Sequence, residues 1–194
     1  PKNLERARYW FTRAADSGNA AAQYQVAVMA SQGAGGPKDE ATAALYYKKS
    51  LQTWKKEADD GDSKAALWAA LVYERKLVPD SSPEKSVPYL LQAAESGNLT
   101  AQGLLAFKYR DGLGVPQDAA KAVEWFEKAA SRKDLGAVME LGIMFRDGKY
   151  LPPDREKAFH WFEKGAEWKD PYSMAALADM LLEGTPSAEQ AARA

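Results

Sequence analysis

The one histidine, His160, is the residue best suited to general acid–base work near neutrality. It sits in Phe159-His160-Trp161, and internal copies of that segment hold Tyr9, Leu45, Pro88 and Glu124 at its place. The repeated structure does not require an imidazole there, so His160 reads as a surface or packing residue. Asp118 and Asp154 form a carboxylate pair by type, but each stands directly before an amphipathic helical stretch, where a helix N-cap explains it. Asp111-Gly112 and Asp147-Gly148 read as helix ends, because no further oxygen ligands follow at calcium-loop spacing. Gly33-Ala-Gly35-Gly36 runs into Pro37 instead of a Lys-Ser or Lys-Thr pair and reads as a turn, not a phosphate loop. With no cysteine and one histidine, thiol nucleophiles, disulfides and Cys- or multi-His metal sites are excluded. The expectation is a chain with no catalytic residue, no metal and no cofactor.

Composition narrows the partners. Of 194 residues 46% are hydrophobic and 27% charged, enough for a sizeable core. Twenty-six Lys and Arg against twenty-seven Asp and Glu leave a net charge of -1, which argues against nucleic acid. No apolar run approaches the roughly 20 residues of a membrane span, and no charged-then-apolar leader is visible. The chain begins at Pro1 instead of Met, so upstream residues, a signal peptide among them, are expected to have been removed or left out.

The elements that position these residues emerge from internal periodicity. Ala101-Gln-Gly-Leu-Leu105-Ala106-Phe-Lys-Tyr109 recurs 36 residues later as Ala137-Val-Met-Glu-Leu141-Gly142-Ile-Met-Phe145, and 36 earlier from Ala65 to Tyr73. Further copies start at Ala22 and, more weakly, at Ser173. A second block follows: Asp118 to Ala130 aligns with Asp154 to Ala166, and related copies run Arg6–Ala15, Thr42–Leu51 and Lys85–Ala94. In the first block, positions 1, 5 and 9 share a stripe, with a small residue at position 6 for close backbone approach. In the second, Ala122, Trp125 and Ala129 share a face, and the neighbouring aromatic or Leu points about 100° away, toward a second packing partner. Asp118, Asp154 and Ser82 are placed as N-caps, with Pro83 at the first helical position. Gly18-Asn19, Gly61-Asp62 and Gly97-Asn98 read as a left-handed C-cap followed by the next N-cap. The unit is a helical hairpin.

Its boundaries fall at 1–18 (the second helix of a truncated repeat), 19–61, 62–97, 98–133, 134–169 and 170–194 (a partial or capping repeat), within one array over 1–194. The spacing from Ala22 to Ala65 is 43, and the seven extra residues lie in Lys48 to Asp60, lengthening that helix by almost two turns. Lys76-Leu-Val78 lacks the turn glycines of Gly33-Ala-Gly35 and Gly112-Leu-Gly114, so Val78 to Pro83 should follow a longer and more exposed path. Trp10, Trp125 and Trp161 share one register and are expected in the core, whereas Trp54, Trp68 and Trp168 are off register and open to a functional role.

The pattern Ala-x-x-x-Leu-Gly-x-x-Phe/Tyr-x-x-Gly, then Asp-x-x-Lys-Ala-x-x-Trp-x-x-Lys-Ala-Ala, resembles the Sel1-like repeat, a relative of the tetratricopeptide repeat. It is closest at Ala101–Ala130 and Ala137–Ala166, and it covers nearly the whole chain. The resemblance implies an all-α, right-handed α-solenoid of antiparallel helix pairs that serves as a scaffold or adaptor for proteins. Similar bacterial proteins occur in the envelope, in secretion systems and host contact, and among immunity proteins that neutralise toxins. The implied partner is therefore a protein, such as a toxin, an effector or an envelope component, and the periplasm or envelope is favoured over the cytoplasm. Some cysteine-rich secreted relatives have been linked to β-lactam binding or hydrolysis, but this chain lacks their cysteines.

In the related tetratricopeptide architecture the first helix of each pair lines the concave wall. Its third, seventh and tenth positions here give Tyr24 and Val28; Leu67 and Leu71; Phe107 and Arg110; and Met139, Ile143 and Arg146 as partner-binding candidates. An apolar stripe edged by two arginines one repeat apart has the composition of an interface hot spot, and the guanidinium groups could hold a partner's carboxylates. The bland alternative is that a neighbouring helix buries the apolar members while the arginines pair with Asp111 and Asp147. A Ser187/Gln190 capping box suggests a further helix; the chain is expected to be a monomer or to self-associate weakly through its repeat ends, which an exposed apolar end would invite.

Overall fold

The computed structural model describes residues 2–183, so the Ser187/Gln190 capping box lies outside the described residues. Among the described residues there are ten helices and no strand: α1 (Lys2–Asp16), α2 (Ala20–Gln32), α3 (Glu40–Asp59), α4 (Ser63–Glu74), α5 (Pro83–Glu95), α6 (Leu99–Asp111), α7 (Ala119–Ala130), α8 (Leu135–Asp147), α9 (Arg155–Glu167) and α10 (Pro171–Glu183). They fall into two compact units, one up to Ala101 and one from Gln102. In the first unit each of α1 to α5 packs on its neighbour in sequence; in the second, α7 to α10 do the same, and Phe107 of α6 meets Phe126 of α7 edge-on at 5.1 Å.

The small residues of the first block let these helices close in. Ala65, Ala69 and Ala70 of α4, and Ala101, Leu105 and Ala106 of α6, are all essentially solvent-free. In the second block Phe126, Phe162 and Leu90 are fully buried. Ser50 and Ser86, buried among them, satisfy their hydroxyls by donating to the carbonyls of Tyr47 and Pro83.

Five hairpin junctions use one C-terminal motif. Gly18, Gly61 and Gly97 donate to Ala15, Ala58 and Ala94, and the residue after each donates one carbonyl further back, to Ala14, Glu57 and Ala93. Lys133 and Lys169 make the same bonds, to Ala130 and Ala166, at φ 62° and 63°. A lysine in the left-handed region meets a steric cost that glycine avoids. Lys133→Gly and Lys169→Gly should each stabilise by about 0.5–1 kcal/mol, the relief of strain exceeding the added unfolded-state entropy. Urea melts of the single and double variants check this, and a loss of stability would contradict it.

Helix starts are capped by side chains: Asn19, Asp39, Asp62, Asn98, Asp118, Asp134 and Asp154 each accept from a backbone N–H two or three residues on. Hydrogen bonds from Thr42 to Asp39, and from the N–H groups of Lys121 and Lys157 to Asp118 and Asp154, hold those three carboxyls below the ordinary 3.8. A lowered folded value means that the stabilisation is fully present above the unfolded pKa and is lost as pH falls through the folded one. The melting temperature should therefore hold from neutrality down to about pH 5 and drop below it. Replacing all three with Asn, which caps without titrating, should flatten part of that acid limb.

Three expectations need correction. Trp10 is 63% exposed, and Phe11 beside it 38%, because α1 packs on α2 with no described helix before it, whereas α7 and α9 have helices on both sides. Ser82 has the extended backbone of an N-cap but makes no capping bond, and Pro83 at the helix start leaves one fewer N–H to cap. In the connection over residues 75–82, Pro79 and Asp80 are exposed as expected, but Val78 at the start of the expected exposed stretch is buried.

Candidate partner-binding faces

On α4, Leu67 and Leu71 stand two residues, about 200°, around the helix from the buried Ala65 and Ala69. They and Tyr24 and Val28 of α2 are half-buried. Tyr24 is the centre of an aromatic cluster: its ring lies 5.5 Å from Tyr47, 5.7 Å from Trp54 and 5.8 Å from Trp68. Trp54 and Trp68 stack at 5.4 Å with 16° between their planes. Trp54, carried by the 20-residue α3, is buried, while Trp68 on α4 is 40% exposed. Arg75 Nη1 donates to the Tyr24 hydroxyl at 2.7 Å, and burial pushes the Tyr47 phenol above its ordinary value. The sequence had singled out Tyr24, Trp54 and Trp68 separately. Their meeting, and the parts of Tyr47 and Arg75 in it, carry no short-range signal.

In the second unit Phe107, Arg110, Met139 and Ile143 are half-buried and Arg146 is exposed. Arg110 and Ile143 share a pocket of about 220 Å³ with Glu140, Met144, Asp147, Lys149 and Tyr150. Arg110 donates to both Asp111 oxygens at 2.9 and 2.8 Å and to Glu140 at 2.6 Å, and its guanidinium lies over the rings of Phe107 and Tyr150. The Tyr150 hydroxyl also donates to Asp111, at 3.0 Å. The hydrogen bond from Arg110 holds the Asp111 carboxyl well below the usual carboxylate range, and the same bond raises the Arg110 pKa. Arg110 is thus taken up within the chain instead of reaching for a partner's carboxylate. Arg146 differs: its Nε donates to Asp147 at 2.7 Å, and its Nη atoms make no ion pair among the described residues. Glu140 and Tyr150 are the members of this network that sequence spacing missed.

The groups considered for catalysis have other occupations. His160 is exposed and edge-on to Trp161, and Asp118 and Asp154 cap α7 and α9. Trp168 is half-buried and lines an open hollow with Lys133, Leu135, Glu167 and Lys169. No helix among the described residues is long and apolar enough to cross a membrane.

Known structures share this fold. The chain is 25% identical to a Sel1 repeat protein from Oxalobacter formigenes, with a TM-score of 0.65 over 98% of this chain and 76% of that one. It is 22% identical to c5321, a protective antigen of uropathogenic Escherichia coli, at a TM-score of 0.62 over 93% of this chain but only 45% of the antigen. It is 21% identical to the cysteine rich protein B of Helicobacter pylori, at a TM-score of 0.51 over 72% of this chain and all of that one. No curated protein matches significantly. The Sel1 repeat model matches residues 1–19, 20–52, 64–98, 100–134, 136–167 and 171–194, and with the helical hairpins described above this establishes that the chain belongs to the Sel1 repeat family.

Proposed function

We propose that the chain is a non-enzymatic interaction module that takes up a partner protein on the half-open apolar faces of its first helices. These are the Tyr24, Leu67 and Leu71 side of the first unit and the Met139, Ile143 and Arg146 side of the second. Sel1 repeat proteins generally act through protein–protein contacts. The observation that carries the reading is that positions 3 and 7 of the first helix remain half-buried in α2, α4, α6 and α8, while positions 1 and 5 are sealed. A solenoid is held together by its sealed stripe, so a second apolar stripe of Leu, Met and Ile has no need to recur for folding alone. Beside it stand Trp68 and Arg146, residue types enriched at interface centres.

The test is affinity capture from the source organism's extract with wild type, Leu67→Glu and a Met139→Glu, Arg146→Glu double variant, each verified as helical by circular dichroism. Phe107 is unsuited to this test because it packs on Phe126. The expected result is one protein retained by wild type and lost by at least one face variant. Retention by both would place binding elsewhere and end this reading. Stoichiometric inhibition of a captured enzyme would give the chain the role of an inhibitor.

A further inference from the structure

The first unit holds a second cavity, of about 370 Å³, bounded by Lys48, Leu51, Gln52, Lys55, Tyr73, Val78, Pro79 and Asp80. It is built from the two places where this unit departs from the repeat: the lengthened α3 and the connection over 75–82. Neither departure is required by hairpin stacking. The floor is apolar, with Leu51, Tyr73 and Val78 all under 10% exposed. Lys48, Leu51, Gln52 and Lys55 follow one face of α3 at helical spacing, which puts two lysines two turns apart on the wall of the same hollow.

The charges in this cavity are one-sided. Neither Lys48 nor Lys55 is in an ion pair among the described residues. The Lys55 pKa is raised, chiefly by Tyr73 and Tyr89, with a hydrogen bond to Tyr89 and a minor contribution from Asp59. The one acid on the lining, Asp80, is mostly exposed and pairs with Lys85. A cavity of this size, with an apolar floor and two lysines on its wall, is of the kind that receives a small amphiphilic anion.

We infer that this cavity binds a carboxylate carried on a compact apolar body: the apolar part rests on Leu51, Tyr73 and Val78, and Lys48 and Lys55 hold the carboxylate. This goes beyond the partner faces above and does not depend on them. The same chemistry is offered by a free organic acid and by a polypeptide chain end with an apolar last residue.

The experiment is a ¹H–¹⁵N NMR titration of the purified chain with 4-phenylbutyrate, with 4-phenylbutyramide, and with the acetylated tripeptide Gly-Gly-Phe bearing a free C-terminus. The expected result is saturable shifts at Leu51, Gln52, Tyr73 and Val78 with phenylbutyrate or the peptide, and binding of the amide weaker by about tenfold. The tighter of the two acids identifies the source. Lys48→Met and Lys55→Met keep the apolar stem and should each weaken binding by roughly tenfold with the helical spectrum unchanged. Equal binding of acid and amide, shifts confined to other residues, no saturable binding, or indifference to both lysine variants would overturn the assignment. The Met139→Glu, Arg146→Glu variant should bind the acid as wild type does, which separates this site from the proposed partner face.

Discussion

Gly142→Val should destabilise the chain by about 3 kcal/mol, at the upper end of what overpacking a core usually costs. A Cβ at Gly142 would stand 2.3 Å from Cε1 of Phe162, 2.6 Å from Cζ and 2.7 Å from Cδ1. Phe162 is fully buried, so its ring has no solvent to swing into. Even alanine meets that ring, and the roughly 1 kcal/mol that alanine gains over glycine in helix propensity must be set against the collision. Valine adds two methyl groups to the same clash. For a chain of this length 3 kcal/mol corresponds to a fall of roughly 6–12 °C in melting temperature. His160→Ala is the matched control on the same hairpin: its side chain is exposed, and its effect should stay within about 0.5 kcal/mol. Thermal melts giving the reverse order would contradict the α8–α9 packing. Gly142→Ala combined with Phe162→Leu should lose less than the sum of the two single changes, since each removes part of the other's cost.

Gly142 was legible in the sequence because close helix approach makes a local demand that recurs: Ala27, Ala70 and Ala106 occupy the same place in other copies and are likewise buried. The caps were legible for the same reason. Orphan N–H groups need an acceptor two or three residues away, and Asp118 and Asp154 supply one whatever the rest of the chain does. Exposure of Trp10 was not legible, because its residue type matches Trp125 and Trp161 while its surroundings depend on which helices flank α1. The candidate faces divide along the same line. Positions 3 and 7 follow from helical period alone. The capture of Arg110 by Glu140, 30 residues on, depends on how α6 and α8 cross, as does the ring contact with Tyr150. The pairing of Arg110 with Asp111 was visible in advance because it is local.

Trp54 and Trp68 give the sharpest contrast between two residues of one type, and truncating them should separate core from surface. Trp54→Ala should cost about 3–5 kcal/mol, because it empties a buried site against which Tyr24 and Trp68 both pack. Trp68→Ala should cost well under half of that: its ring is 40% exposed while it rests on Trp54 and Tyr24. The two effects should not add, since removing Trp54 takes away the plane on which Trp68 is held. Urea melts with a double-mutant cycle measure this directly. If Trp68 carries the larger cost, it is a core residue and no part of a partner face. If Trp54 does, the lengthened α3 supplies a rigid backing that fixes Trp68 in place before any partner arrives, and a partner using that face meets a side chain whose ordering has already been done.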